Sequence, residues 1–270
     1  MACQLLVESL LDRSHQKITK RYTMVEKMSS SQRIAKLSER AKDLNAIDII
    51  KLSYQEFGAR VNFASSLGEE DQVIADMIAK VSPQIEVFTL DTGRLFPETY
   101  QLIEKTQKRY KITFRIYYPD TKTVEEMVST KGINLFYESV ENRKFCCGIR
   151  KVEPLRRALA NVDAWISGLR RGQSLTRSTV EIFEWDADNQ KIKINPLAHW
   201  SLDQVRQYIA EKKIDINELH NKCFVSIGCA PCTRAIKPGE DIRAGRWWWE
   251  QQEQKECGLH APKSKPEKKP

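Results

Sequence analysis

The sequence predicts an α/β protein: a doubly wound, mainly parallel sheet with helices on both faces, followed by a mobile C-terminal arm. Three observations carry that expectation. Short apolar runs at 60–65, 85–90 and 114–118 alternate with longer segments whose apolar residues recur at helical spacing. The joins between them hold Gly, Pro and acidic residues suited to strand ends and helix starts. The β-α-β-α-β order then requires crossovers, hence parallel pairing, with ligands at the carboxyl ends of the strands.

Residues 1–30 have weak helical periodicity and read as an N-terminal appendage, with Met24 and Met28 as alternative starts. From Ser31, the residues Ile34, Leu37, Ala41 and Leu44 mark a leading helix, and a second carries Ile47 to Phe57. The strand at 60–65 runs into Ser66-Leu67-Gly68-Glu69-Glu70-Asp71 and then an amphipathic helix through Val73, Ile74, Met77 and Ile78. A glycine turn at a helix start faces a nucleotide or phosphate well, because free N–H groups point out of it. The acids of that turn are expected to cap the helix.

The strand at 85–90 ends in Asp91-Thr92-Gly93-Arg94, and Pro97 opens a helix to about Tyr110. Asp-Thr-Gly occurs once, which argues against an aspartic protease, since that chemistry needs two facing carboxylates. Past Gly132 comes NLFYESVENRKFCCGIRKVEPLRRAL, with a helix expected to begin near Gly148. A strand at 164–169 leads to the basic loop Arg170-Arg171-Gly172-Gln173-Ser174, a natural anion site. A hairpin at 183–185 and 191–195 and a helix at 201–213 follow. The expected organisation is a nucleotide-binding domain at 31–235, an arm at 236–260 and a disordered Lys/Pro-rich tail at 261–270.

A net charge of +8 suggests anionic partners, and a pocket for an anionic nucleotide needs cations as much as nucleic acid does. The basic residues are spread along the chain, so no nucleic-acid partner is expected. No apolar run approaches the roughly 20 residues of a membrane span. The seven cysteines form an odd set with two adjacent, unlike a secreted disulfide framework. With no signal peptide visible, a cytoplasmic location is expected.

Two cysteine pairs, Cys146-Cys147 and Cys229-Ala-Pro-Cys232, supply the four thiolates of a [4Fe–4S] cluster or of a zinc ion. Adjacent cysteines are unusual for structural zinc, whose pairs are typically spaced by two to four residues. Cys3 and Cys223 fit buried small residues. Cys257, in Glu256-Cys257-Gly258-Leu259-His260, is left for nucleophilic chemistry, with His260 as a nearby cation or substrate contact. Trp247, Trp248 and Trp249 read as loop packing.

The tandem CC, the later CxxC and the terminal ECGLH together resemble the iron–sulfur assimilatory adenylyl-sulfate (APS) reductases of the PAPS/APS reductase family, over about Leu52 to His260. The resemblance implies an adenine nucleotide alpha-hydrolase-like fold of PP-loop type. It implies one [4Fe–4S] cluster on Cys146, Cys147, Cys229 and Cys232, and Cys257 as nucleophile. The implied substrate site draws on Ser65, Ser66 and Gly68, on Leu90, Asp91, Thr92 and Gly93, and on Lys151, Arg243, Arg246 and His260, with Arg170 and Arg171 as alternatives. The implied reaction is thioredoxin-dependent reduction of APS to sulfite and AMP through a cysteine S-sulfonate, in sulfate assimilation and cysteine biosynthesis. No thioredoxin-type domain follows the arm, so a separate thioredoxin is expected, and the family accommodates homo-oligomers. Lys151, close in sequence to the cluster ligands, is expected to be tuned electrostatically by the cluster.

Family members often carry a histidine shortly before the CC pair; here Arg143 and Lys144 occupy that stretch. Enzymes selective for PAPS generally lack both cysteine pairs, which favours APS over PAPS or dual use. The Ser-Gly-Gly-x-Asp-Ser loop of ATP pyrophosphatases is missing, which argues against a tRNA-thiolating enzyme. A nucleic-acid-binding cluster protein would not require the ECGLH arm.

Overall fold

Apolar runs become strands here because both of their faces are covered. In the computed structural model, which describes residues 28–174 and 177–251, the strands are β1 (Val61–Ala64), β2 (Glu86–Leu90), β3 (Phe114–Tyr117), β4 (Ala164–Ile166), β5 (Phe183–Asp186) and β6 (Lys191–Ile194). They form one sheet in the order β3-β2-β1-β4-β6-β5. Every neighbouring pair is parallel except the β5–β6 hairpin. The chain leaves β1 towards β2 and β3, then returns to place β4 on the other side of β1. That reversal between β1 and β4 is where such a sheet opens a crevice for ligands.

Register decides which side chains share a face. Phe63 stands opposite Val87 and Ile166, so these line one side. Ala64 opposite Phe88, and Asn62 opposite Trp165, line the other, where Phe88 and Trp165 pack with Leu155 and Leu159.

The chain forms two compact units, 1–43 and 44–270. In the first, α1 (Ser30–Ala41) starts at a capping box made by Ser29 and Gln32. The second holds α2 (Ala46–Phe57), α3 (Glu69–Val81), α4 (Pro97–Tyr110), α5 (Thr121–Lys131), α6 (Val140–Cys147), α7 (Glu153–Ala158) and α8 (Leu202–Lys212). Pro97 occupies the first turn of α4 as expected, and Ser201 with Gln204 boxes the start of α8. The helix α5, capped by Asp120, has no counterpart in the sequence reading. No helix among the described residues is long and apolar enough to cross a membrane.

One expectation is corrected. The CC pair does not precede a helix that starts at Gly148; it forms the last turn of α6, and the helix continues through a π turn (Gly148–Val152) into α7. The reason lies in Pro154, which has no N–H to return to the carbonyl four residues back. The Glu153 N–H reaches the Gly148 carbonyl instead, five residues back, and the helix widens there.

The chain after the CxxC pair is also held more firmly than its polar composition suggests. Thr233 bridges to Arg246, and a side chain on Gly245 would fall 2.3 Å from the Arg234 carbonyl oxygen. The side chain of Glu250, within the expected mobile arm, is buried against α6. Its carboxylate accepts from Arg143 Nε at 2.9 Å and from a second guanidinium nitrogen at 2.7 Å, with both side chains almost fully enclosed. Arg143 is therefore a structural cation and not a stand-in for a site histidine. Glu250→Ala should destabilise the protein by about 3–5 kcal/mol, because it strands a buried guanidinium. Urea unfolding should also show most of that loss recovered in the double variant Arg143→Met/Glu250→Leu.

Candidate functional site

A cavity of about 260 Å³ opens at the carboxyl ends of β1, β2 and β4, at the reversal of the sheet. The loop after β1 supplies Ser65, Ser66 and Gly68, the end of β2 supplies Leu90 and Thr92, and the loop after β4 supplies Gly168 and Arg170. Lys151 enters from the π turn, and Arg243 and Arg246 from the segment before the three tryptophans. One wall is apolar, formed by Phe88, Leu90, Leu155 and Trp165. Trp165 is fixed from behind by its Nε1 bond to Asp186 at 3.0 Å and by the Lys193 ammonium 5.0 Å from its ring. Burial pushes the Lys193 pKa down.

The acids after Gly68 fill the first turn of the helix, as expected, and each also has a partner of its own. Gly68 is the N-cap, and its backbone bonds the Asp71 carboxylate. Glu69 pairs with Arg206, and Glu70 accepts from Arg170 Nε at 2.6 Å. Asp71 accepts from the Ser66 N–H and hydroxyl, each at 2.6 Å, and closes the loop onto itself. Leu67 takes the left-handed conformation, φ 61°, that this fold-back requires. A side chain on Gly168 would lie 2.2 Å from Asp71 Oδ1, so only glycine lets β4 pass this loop. Burial pushes the Asp71 carboxyl up to about 6; the Ser66 bonds oppose the rise and the Glu70 charge adds to it.

The adjacent arginines differ in direction. Arg170 lines the cavity, whereas Arg171 turns away and bonds the Val180 carbonyl and Glu181. Asp91 and Gly93 also stand off the cavity wall. Asp91 accepts from the Gly93 N–H at 2.8 Å and from the Tyr100 hydroxyl at 3.0 Å, which makes it the brace of the turn. Arg243 and Arg246 place their guanidinium carbons 5.8 and 4.6 Å from the Trp247 ring centre. A side chain on Gly228 would sit 2.3 Å from the Arg246 guanidinium. Cys257 and His260 lie outside the described residues.

Cys146, Cys147, Cys229 and Cys232 line a second, smaller pocket with Arg94, Arg143, Arg150 and Phe136. Among the described residues, Lys151 is the one side chain on the walls of both pockets. The Asp-Thr-Gly turn ties the two together. The Thr92 hydroxyl is 3.2 Å from Cys229 Sγ, the Thr92 carbonyl accepts from Arg150 at 2.7 Å, and the Arg94 carbonyl accepts from the Ala230 N–H at 2.8 Å.

Burial raises the Cys146 thiol, and burial with the Cys229 charge pushes Cys232 up to about 12. Burial also works on Cys229, but Lys151, Thr92, Arg246 and Arg150 outweigh it and its pKa falls. Thiols such as Cys146 and Cys232, whose ionisation is opposed by burial and by the Cys229 charge, belong to a donor set suited to a compensating cationic group. No three described His, Cys, Asp or Glu side chains stand together as a site for a metal ion.

Residues 60–235 match the phosphoadenosine phosphosulfate reductase domain family. An adenosine 5'-phosphosulfate reductase of Sinorhizobium fredii (strain USDA 257) is 53% identical over 201 residues, 74% of this chain and 80% of its own. Its counterpart in Allochromatium vinosum is 48% identical over 219 residues, 81% of this chain and 85% of its own. A phosphoadenylyl-sulfate (PAPS) reductase from Candida auris superposes with a TM-score of 0.67 at 30% identity, covering 77% of this chain and 98% of that one.

The raised Asp71 pKa has a defined consequence for stability. Its contribution is present below about pH 4 and is lost as pH rises through about 6, where a buried carboxylate must ionise. Asp71→Asn does not ionise. Its stability relative to the parent should grow by on the order of 2–3 kcal/mol between about pH 4 and pH 8, measured by denaturant unfolding across that range.

Proposed function

The chain belongs to the phosphoadenosine phosphosulfate reductase family, and on that premise we propose that Cys257 carries the reduction of adenosine 5'-phosphosulfate to sulfite and AMP. The enzyme class is an oxidoreductase of sulfate assimilation, the class of relatives 45–53% identical over most of the chain. The observation that carries the residue-level reading is the cavity itself. An apolar slot for a base and the side chains of Lys151, Arg170, Arg243 and Arg246 share one crevice at the sheet reversal.

The Cys257 thiolate attacks the sulfur of the sulfate group. The bond from that sulfur to the bridging oxygen breaks, and AMP leaves with the electron pair. Both reactants are anionic, so fixed cations are needed where charge gathers. Lys151, Arg243 and Arg246 fill that role, with Arg170, neutralised in part by Glu70, shaping the opposite edge. A thiol of reduced thioredoxin then attacks Cys257 Sγ, and sulfite departs with the pair from the S–S bond. The second thioredoxin thiol resolves the mixed disulfide, so the dithiol is oxidised and Cys257 is returned reduced.

The residues of the smaller pocket fit a [4Fe–4S] group held by Cys146, Cys147, Cys229 and Cys232. Bound there, the cluster supplies a fixed charge distribution beside Lys151. Lys151 faces both pockets and so orients substrate while sensing that charge. The first part of the expected arm, up to Glu250, is anchored to the body of the fold. A cytoplasmic location supplies the reducing partner this cycle requires.

Intact-protein mass spectrometry on anaerobically prepared enzyme should show a sulfonate adduct on Cys257 with APS, absent in Cys257→Ser and removed by reduced thioredoxin. The same adduct with PAPS would make the enzyme a dual reductase. No adduct with either nucleotide would overturn the reading.

A further inference from the structure

We infer that His220 is a further nucleotide-contacting residue, which holds the adenosine portion of the ligand through its Nε2; the inference rests on the nucleotide reading above. No motif marks this histidine in the sequence, and its position emerges only from the fold.

His220 lies in a short 3₁₀ turn (Glu218–Lys222) that is fixed on both sides. Asn217, almost fully buried, accepts from the Leu219 N–H at 3.1 Å and donates from its amide to Thr99 Oγ1 at 3.1 Å. That bond rests the turn against the first turn of α4, and the buried Leu219 anchors it from the other side. The imidazole is thereby presented to the same cavity that Ser65, Leu90 and Lys151 line. Its Nε2 is enclosed and has no hydrogen-bond partner among the described residues. An imidazole nitrogen is either a donor or an acceptor, so a buried one left unpaired is costly and calls for a partner, a role a bound ligand fills.

The surroundings indicate which part of a nucleotide that partner is. Leu95 and Thr99 at the entry to α4, and Val225 and Ser226 just after the turn, line the cavity and are all uncharged. The cations come from other segments, at Lys151, Arg170, Arg243 and Arg246. A neutral wall with one directed imidazole suits the hydroxyls and ring nitrogens of adenosine, and leaves the phosphosulfate to the cations.

The test uses the cluster-containing full chain with AMP, which has the adenosine but no sulfate. His220→Leu should weaken AMP binding in calorimetry about tenfold, and His220→Gln, whose amide reaches the Nε2 position, should recover to within about threefold of the parent. Iron content and melting temperature should be unchanged in both variants, as a merely structural histidine would not allow. Equal AMP affinity in His220→Leu, or a loss seen with APS but not with AMP, overturns the assignment. A crystal structure of the parent with AMP decides the matter without any variant: a nucleotide atom within hydrogen-bond reach of Nε2 supports it, and none there overturns it. A parent that neither binds AMP nor forms the Cys257 sulfonate overturns the nucleotide reading itself. A parent that does both, beside an unaffected His220→Leu, overturns only the role of His220.

Discussion

The clasp on Trp247 is the constraint on which the rest of the site depends. Two guanidinium groups approach its ring closely, Arg143 at 4.7 Å and Arg246 at 4.6 Å, and Arg143 is in turn held by both oxygens of Glu250. Trp247 adopts a left-handed backbone, φ 41°, which for a bulky residue costs on the order of 1–3 kcal/mol. Full burial and three cation–π contacts offset that strain. The result joins α6, which carries the CC pair, to the segment that carries Arg243 and Arg246. Trp247 also packs in one apolar cluster with Cys232, Phe136 and Met127, alongside Cys146 and Cys229. The cysteine pocket and the cationic wall of the larger cavity are thus built from one packed unit.

The same economy governs the turn after β2. Asp91 braces the turn, Thr92 contacts Cys229 on one side and lines the cavity on the other, and Arg150 bonds the Thr92 carbonyl. Lys151 follows Arg150 within the π turn, so the widening caused by Pro154 sets which cation faces which pocket. Charge at the cysteines and charge at the substrate wall are coupled through side chains a few ångströms apart, where a low local dielectric keeps the interaction strong.

Glycines at the site mark close approach and not flexibility. Gly168 admits Asp71, Gly228 admits the Arg246 guanidinium, and neither takes a positive φ. Each is fixed by a partner remote in the sequence, which explains why neither carried a signal when the chain was read linearly.

The class of the fold and the motifs of the family were legible in the chain itself. Strand and helix periodicity, the Pro97 start and the hairpin at 183–194 follow from local rules of backbone geometry and burial, and these need no distant partner. The paired cysteines and the ECGLH ending carry their meaning as motifs for the same reason. Tertiary structure alone decided what depends on direction. It turned Arg170 inward and Arg171 outward, made Asp91 a brace, and made Arg143 a buried structural cation. It also brought His220 to the cavity with a nitrogen left unpaired among the described residues. A charge or an imidazole reads the same in a sequence wherever it points; only packing fixes its direction, and direction decides whether it serves the ligand or the fold.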